Sequence, residues 1–188
     1  MGKLNLVVVS GNLGSPSKTL ALAEQIVDAI GRLTPIETNI HQLAELAPAI
    51  GPARHPGELG EAGKTALRAI ETANILVAAT PVYKGSYTGL FKHLFDFLDP
   101  KALNETPVIL AATGGGEKHA LIIEHQLRPL FGFFGAYTVP SGIYATERDF
   151  DGTRFSDPIV LERIETAARQ AVHAAQALAA RQRQARAA

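Results

Sequence analysis

Leu4-Asn5-Leu6-Val7-Val8-Val9, running directly into Ser10-Gly11-Asn12-Leu13-Gly14-Ser15-Pro16-Ser17-Lys18-Thr19, is the stretch that decides the fold. Its first six residues are a nearly unbroken run of Leu and β-branched side chains, which predicts a strand buried on both faces. Residues 75–79 (ILVAA) and 108–112 (VILAA) repeat that character, and each is followed by Thr and then by Pro or Gly. After Ser17 the apolar residues Leu20, Ala23, Ile26, Val27 and Ile30 fit a 3.6-residue period, with Gly31 as the expected stop. Residues 35–40 read as a second strand, and their polar Glu37, Thr38 and Asn39 suit a sheet edge.

Residues 41–59 hold three Pro and two Gly without a clear period, so a long connection with at most one turn of helix is expected there. Helical spacing returns at 60–73, 88–98 and 119–134, the last broken or bent near Pro129. Residues 137–139 supply a last strand, and a final amphipathic helix runs from 158 to about 181. Strands buried on both faces that alternate with helices specify a doubly wound α/β fold. The expectation is a flavodoxin-like three-layer sandwich on a five-stranded parallel sheet of order 2-1-3-4-5. Residues 1–180 form one domain in this reading, and the Ala/Arg/Gln tail at 181–188 is fraying helix or disorder.

Composition narrows the chemistry. The chain has 188 residues, close to the prior of about 100 to 200 for one domain. Lys plus Arg and Asp plus Glu are 18 each, so no global basic field exists to hold nucleic acid or an anionic membrane. The absence of Cys excludes disulfides, thiolate metal sites and a thiol nucleophile, which leaves redox chemistry to a bound organic cofactor. No apolar run approaches the roughly 18 residues of a membrane span. No signal-peptide core precedes the first strand, and Leu6 stands where a myristoylation motif needs Ser or Thr, so a soluble, cytoplasmic protein is expected.

In the expected sheet order, the loops after strands one, three and four share a crevice at the carboxyl edge. The first, residues 10–19, gathers hydroxyls, glycines and a cation at a helix start, where free N–H groups favour a phosphate. It is neither a G-x-G-x-x-G fingerprint nor a Walker A loop, because Asn12 and Ser17 stand where the latter needs Gly. The second, Pro81-Val82-Tyr83-Lys84-Gly85-Ser86-Tyr87, offers aromatics and an amine to a planar heterocycle. The third, Thr113-Gly114-Gly115-Gly116-Glu117, lets backbone approach a ligand without Cβ obstruction. A capped helix start, core tyrosines or a flexible Gly turn would each explain one loop alone. Jointly the three favour a phosphorylated, flat aromatic cofactor. A metal reading of His119, Glu124 and His125 fails, because H-x-x-E-H needs His where Leu121 stands. The tail arginines Arg181, Arg183 and Arg186 read as a solvated helix end.

Residues 10–19, Thr80-Pro81-Val82-Tyr83-Lys84 with Gly89-Leu90-Phe91-Lys92, and Thr113-Gly114-Gly115 with His119 resemble the NAD(P)H-dependent FMN reductases over residues 4–175. They are most similar to the sulfonate-linked branch, which supplies FMNH2 to two-component monooxygenases. The resemblance implies that FMN phosphate sits on Ser10, Asn12, Ser15, Ser17, Lys18 and Thr19. It implies that the flavin ring lies near Pro81, Val82, Tyr83, Lys84, Thr113, Gly114 and Gly115. It further implies NAD(P)H as reductant, a monooxygenase partner, and a homodimer or homotetramer built on the helices expected at 88–98 and 119–134. Relatives commonly carry Ser-Pro-Arg in the first loop, where this chain has Gly11 and Asn12, so no Arg–phosphate contact carries over. In such reductases the helix at 119–134 can carry a one-residue π-bulge. The inserted position matches His125, preceded by Glu124 and followed by Arg128-Pro129, which implies a part for His125 in flavin release. An FMN-bound quinone or azo-dye reductase remains an alternative on the same fold. A flavodoxin-like electron carrier fits less well, since such carriers are strongly acidic and this chain is neutral, and a flavin-binding regulatory protein stays open.

Overall fold

The structure is a computed structural model that describes residues 2–187. In chain order it contains β1 (Leu4–Ser10), α1 (Lys18–Leu33), β2 (Ile36–Gln42), α2 (Leu43–Ile50), α3 (Glu61–Glu71), β3 (Ile75–Pro81) and α4 (Gly89–Phe95). Then follow β4 (Pro107–Gly114), a π-helical turn (Ile123–Leu127), α5 (Arg128–Phe133), β5 (Tyr137–Thr138), β6 (Ile143–Thr146) and α6 (Pro158–Ala187). The sheet is parallel with order β2-β1-β3-β4-β5, and β6 also pairs with β4.

The both-face burial expected of the apolar runs has a direct structural counterpart. Val7, Val9, Leu76, Ala78, Val108 and Leu110 face one core with Leu46 and Ile50 of α2, Ile70 of α3, Phe91 of α4 and Phe131 of α5. Their neighbours Leu6, Val8, Ile75, Val77, Ile109 and Ala111 face a second core with Leu22 and Ile26 of α1 and Ile164 and Ala168 of α6. Alternate residues of one strand therefore bury against opposite helical layers, which is the three-layer sandwich.

Several expectations need correction. Residues 41–59 are not a long connection: β2 extends to Gln42 and α2 follows it directly. Pro48 falls inside α2, yet Leu43, Leu46 and Ile50 still bury one apolar stripe, and the helix ends two residues after the proline. Helix α1 passes Gly31 and stops at Leu33, and α4 ends at Phe95, short of 98. The expected fifth strand is one of two. Residues 139–142, with Pro140 and Gly142, interrupt the edge, so β5 pairs with Pro107 and Val108 and β6 with Ala111 to Gly114. The sheet thus keeps the expected parallel order 2-1-3-4-5 and adds a sixth strand to it. Helix α6 continues through the tail to Ala187.

The helix expected at 119–134 is divided. A short 3-10 turn at Glu117–His119 precedes the π-turn, and the break falls before Pro129, which sits in the first turn of α5. Pro129 has no N–H to offer the carbonyl of His125, four residues back, so the α ladder is interrupted at the residue on which the π-turn centres. The Arg128 N–H donates to the Ile123 carbonyl five residues back, the bond that defines a π-turn. Arg128 also donates to both carboxylate oxygens of Glu124 at 2.6 and 2.8 Å, and to the carbonyls of Val139 at 3.1 Å and Pro140 at 3.3 Å. These bonds tie the π-turn to the break in the sheet edge.

Candidate functional site

The register of the sheet sets the site. Ser10 at the end of β1 lies beside Ala79, and Pro81 at the end of β3 lies beside Thr113 of β4. The chain therefore leaves three neighbouring strands at one edge, where a cleft of about 440 Å³ opens, within the range of small-ligand pockets. Of the residues singled out from sequence, Asn12, Ser15, Ser17, Lys18, Thr19, Pro81, Val82, Tyr83, Thr113, Gly114 and Gly115 line it. Two do not. Ser10 is fully buried behind the first loop, and Lys84 sits at an exposed turn with φ of 53°.

The first loop is fastened from below. The Asn12 Nδ2 donates to the Gly14 carbonyl at 3.0 Å and to Gln42 Oε1 at 3.3 Å, and Thr88 Oγ1 of the loop preceding α4 donates to the Gly11 carbonyl at 3.1 Å. A Cβ on Gly11 would stand 2.8 Å from Thr80 Oγ1 and 3.1 Å from the Phe91 ring, so this glycine is required by the close crossing of β3. Ser17 caps α1 by accepting from the Leu20 N–H at 3.1 Å, which leaves its own O–H free to donate into the cleft. Thr19 and Thr113 meet hydroxyl to hydroxyl at 2.6 Å and lock the first loop to the third.

The second loop is a tight hairpin. Tyr83 and Ser86 exchange backbone N–H···O=C bonds of 2.8 and 3.1 Å around Lys84 and Gly85, which leaves the Tyr83 side chain half exposed at the cleft wall. Ser86 Oγ donates to Gln126 Oε1 at 3.2 Å, which links this hairpin to the π-turn.

The third loop corrects the reading of its glycines. A Cβ on Gly114 would collide with the Tyr144 hydroxyl and stand 3.1 Å from its Cζ, so Gly114 makes room for a protein side chain. Gly115 has open space where its Cβ would be, and it is the glycine that leaves the cleft clear. Tyr144 donates to the Gly116 carbonyl at 2.6 Å. Burial, and secondarily the Asp149 carboxylate, hold its phenol above the ordinary value, so it stays a protonated donor.

Thr146, Glu147 and Phe155 complete the cleft and escaped the sequence reading, as did Leu13, Gly14 and Pro16 of the first loop as individual lining residues. Thr146 lies beside Gly114 in the β4–β6 register. Its side chain and that of Asp149 form a reciprocal capping box that presents Glu147 to the cleft, where Glu147 Oε1 takes Lys18 Nζ at 2.8 Å. The T-x-x-D spacing of that box is a local signal that was available at residues 146–149. Gln25 holds Phe155 in place by donating to its carbonyl at 3.0 Å and accepting its N–H at 2.7 Å. Among the described residues no group of three or more His, Asp or Glu could hold a metal ion.

Two buried polar atoms in this region lack any partner, Ser10 Oγ and Asn12 Oδ1. The hydroxyls and helix-start N–H groups of the loop above them can donate to a phosphate-bearing ligand, as Ser10 Oγ could, whereas Asn12 Oδ1 can only accept. The aromatic and glycine walls opposite fit its flat ring.

Comparison with known proteins agrees with this geometry. The family described as NADPH-dependent FMN reductase matches residues 4–151. "NADH-dependent FMN reductase SfnE" of Pseudomonas putida is 47% identical over 169 residues, 90% of this chain and 91% of that protein. "FMN reductase (NADPH)" of Pseudomonas aeruginosa is 45% identical over 166 residues, 88% and 89% of the two chains. Among solved structures, an oxidoreductase from Corynebacterium diphtheriae superposes with a TM-score of 0.81 at 35% identity, covering 90% of this chain and 94% of that one.

Proposed function

This chain belongs to the NADPH-dependent FMN reductase family, and on that footing we propose that it reduces FMN with NADH or NADPH and passes the FMNH2 to a separate monooxygenase. Family membership carries the oxidoreductase activity. The observation that supports FMN at this cleft is the hydroxyl-rich start of α1, where Ser15, Ser17 and Lys18 line it together with Tyr83 and Gly115. In this reading Ser15, Ser17 and Lys18 take the phosphate, with Asn12 and the Thr19–Thr113 pair shaping its cradle. Pro81, Val82, Tyr83, Thr113, Gly114 and Gly115 flank the ring. When bound, FMN supplies the chemistry by accepting hydride from the nicotinamide, so no side chain has to act as nucleophile or base. The protein contributes orientation and a wall against water, chiefly through Tyr83, Phe155 and the two loops locked by Thr19 and Thr113.

Delivery to a monooxygenase is favoured by the resemblance to the sulfonate-linked branch and by a cleft in which Lys18, the single cation among the described lining residues, is already ion-paired. A homodimer or homotetramer is supported by the groove between α4 and α5, where Phe133 is 69% exposed beside Tyr87, Phe95 and Leu130. No helix among the described residues is long and apolar enough to cross a membrane. The cytoplasm, where reduced nicotinamides are plentiful, is the proposed place of work.

Steady-state oxidation of NADH and of NADPH, with FMN, FAD, a quinone or an azo dye as acceptor, tests the activity. Turnover of free FMN, and flavin-dependent oxygenation when a purified FMNH2-dependent monooxygenase is added, are the expected results. Turnover confined to quinone or dye, with FMN bound throughout, would refute delivery. Light scattering then measures the oligomeric state.

A further inference from the structure

Among the described residues, the cleft wall carries two charged side chains, Lys18 and Glu147, and they are bonded to each other at 2.8 Å. The pair is assembled across the fold, Lys18 opening α1 and Glu147 standing in the turn after β6. It is held deliberately in place: the Thr146–Asp149 capping box fixes the turn, and Lys18 Nζ also lies 6.0 Å from the centroid of the Phe150 ring. The cleft wall is therefore electrically neutral, although a phosphate monoester brings about 1.5 to 2 negative charges near neutral pH. Such a ligand must draw the Lys18 ammonium away from Glu147 or share it, and either outcome leaves a carboxylate facing an anion. A lysine suits this role, because its flexible stem carries a point charge that can swing between partners.

We propose that Glu147 is a specificity-determining residue that competes with the flavin phosphate for Lys18, and so keeps FMN exchangeable. This rests on the placement of the phosphate at the first loop. Glu147 acts on the phosphate and not on the ring, so its effect is confined to phosphorylated flavins. The neutral isostere Glu147→Gln keeps the shape of the turn and removes the competition, and with a side chain 65% exposed in the parent it disturbs no core.

The experiment measures FMN and riboflavin affinities by fluorescence quenching, and FMN dissociation by stopped flow, for the parent protein, E147Q, K18Q and the double variant. E147Q is expected to bind FMN about two- to fivefold more tightly and to release it correspondingly more slowly, a size set by the modest strength of exposed ion pairs. Riboflavin affinity stays unchanged, the FMN gain shrinks at high salt, and most of it disappears in the K18Q background. Equal affinity of the parent for FMN and riboflavin would overturn the phosphate placement and this inference with it. Preference of the parent for FMN, with E147Q indistinguishable from it, would overturn this inference alone. A gain kept in full without Lys18 would replace competition by simple repulsion and equally refute it.

Discussion

Gly114→Ala is the perturbation whose cost the structure defines most sharply. The added methyl meets Tyr144, whose hydroxyl lies inside contact distance and whose Cζ would be 3.1 Å away. That hydroxyl cannot simply turn aside, since it donates to the Gly116 carbonyl at 2.6 Å and its ring packs on the core between the sheet and α5. Swinging the ring out forfeits a hydrogen bond of about 0.5 to 1.5 kcal/mol, and overpacking adds about 1 to 3 kcal/mol. Reduced freedom of the unfolded chain returns about 0.4 to 1 kcal/mol, so a net loss of about 1 to 3 kcal/mol is expected. Tyr144→Phe deletes the colliding atom at the cost of the hydrogen bond, about 1 kcal/mol. The double variant should therefore recover most of the Gly114→Ala loss and be only slightly less stable than Tyr144→Phe alone, since Cζ remains 3.1 Å from the new methyl, a coupling of about 1 to 2 kcal/mol between the two sites. Urea unfolding of the four proteins measures the cycle, and flavin quenching follows the Gly114–Gly115 wall in parallel. Gly114→Ala unfolding at the parental midpoint, or a double variant as unstable as the two losses added together, would refute the account of this glycine.

Four further outcomes are expected. Ser17→Ala removes the α1 cap and a donor into the cleft, so it should cost about 1 kcal/mol in unfolding and weaken FMN more than riboflavin in fluorescence quenching. Tyr83→Ala should leave stability nearly unchanged, since the side chain is half exposed, but slow flavin reduction in stopped flow by removing cover from the wall. The Arg128 hydrogen bonds, against a smaller opposing effect of burial, hold the Glu124 carboxyl below its ordinary value. The stability from that pair is therefore complete above about pH 4.3 and is lost as the pH falls through the depressed pKa. Arg128→Met should accordingly show a deficit, the ionic part at most about 1 kcal/mol, that narrows in acid; the remainder reports the Val139 and Pro140 carbonyl bonds. Deleting His125 should restore an α register in place of the π-turn, retain FMN more tightly and slow turnover of free FMN; a folded deletion protein with parental turnover would remove His125 from release.

The parts of the fold that could be read from the chain are those whose local composition already states their surroundings. Residues 6–9 of β1, 75–79 of β3 and 108–112 of β4 are apolar at every position because helices cover both faces, and no partner strand is needed to see it. Helix α2 failed that test because Pro48 weighs as a breaker in any window, whereas the folded chain places it where only two helical residues follow. The divided edge failed for a different reason. Each of β5 and β6 is too short to show a period, and Pro140 and Gly142 read as an end rather than as a pause. Only the register against β4, with Val108 beside Thr138 and Ala111 beside Ile143, makes them one interrupted edge.

The site divides along the same line. Loops that leave neighbouring parallel strands at one edge must meet, so Asn12, Ser17, Tyr83 and Thr113 group together on sequence order alone. What sequence order cannot supply is the charge balance of the cleft. Lys18 looks like a free phosphate cation when its own loop is read alone, and only the pairing of Thr146 with Gly114 brings Glu147 to it from 129 residues away. The same pairing explains why Gly114 must lack a side chain, since it sets Tyr144, two residues before Thr146, against the glycine turn. One short strand that the sequence concealed thus determines both how the third loop is shaped and how the charge of the first is balanced.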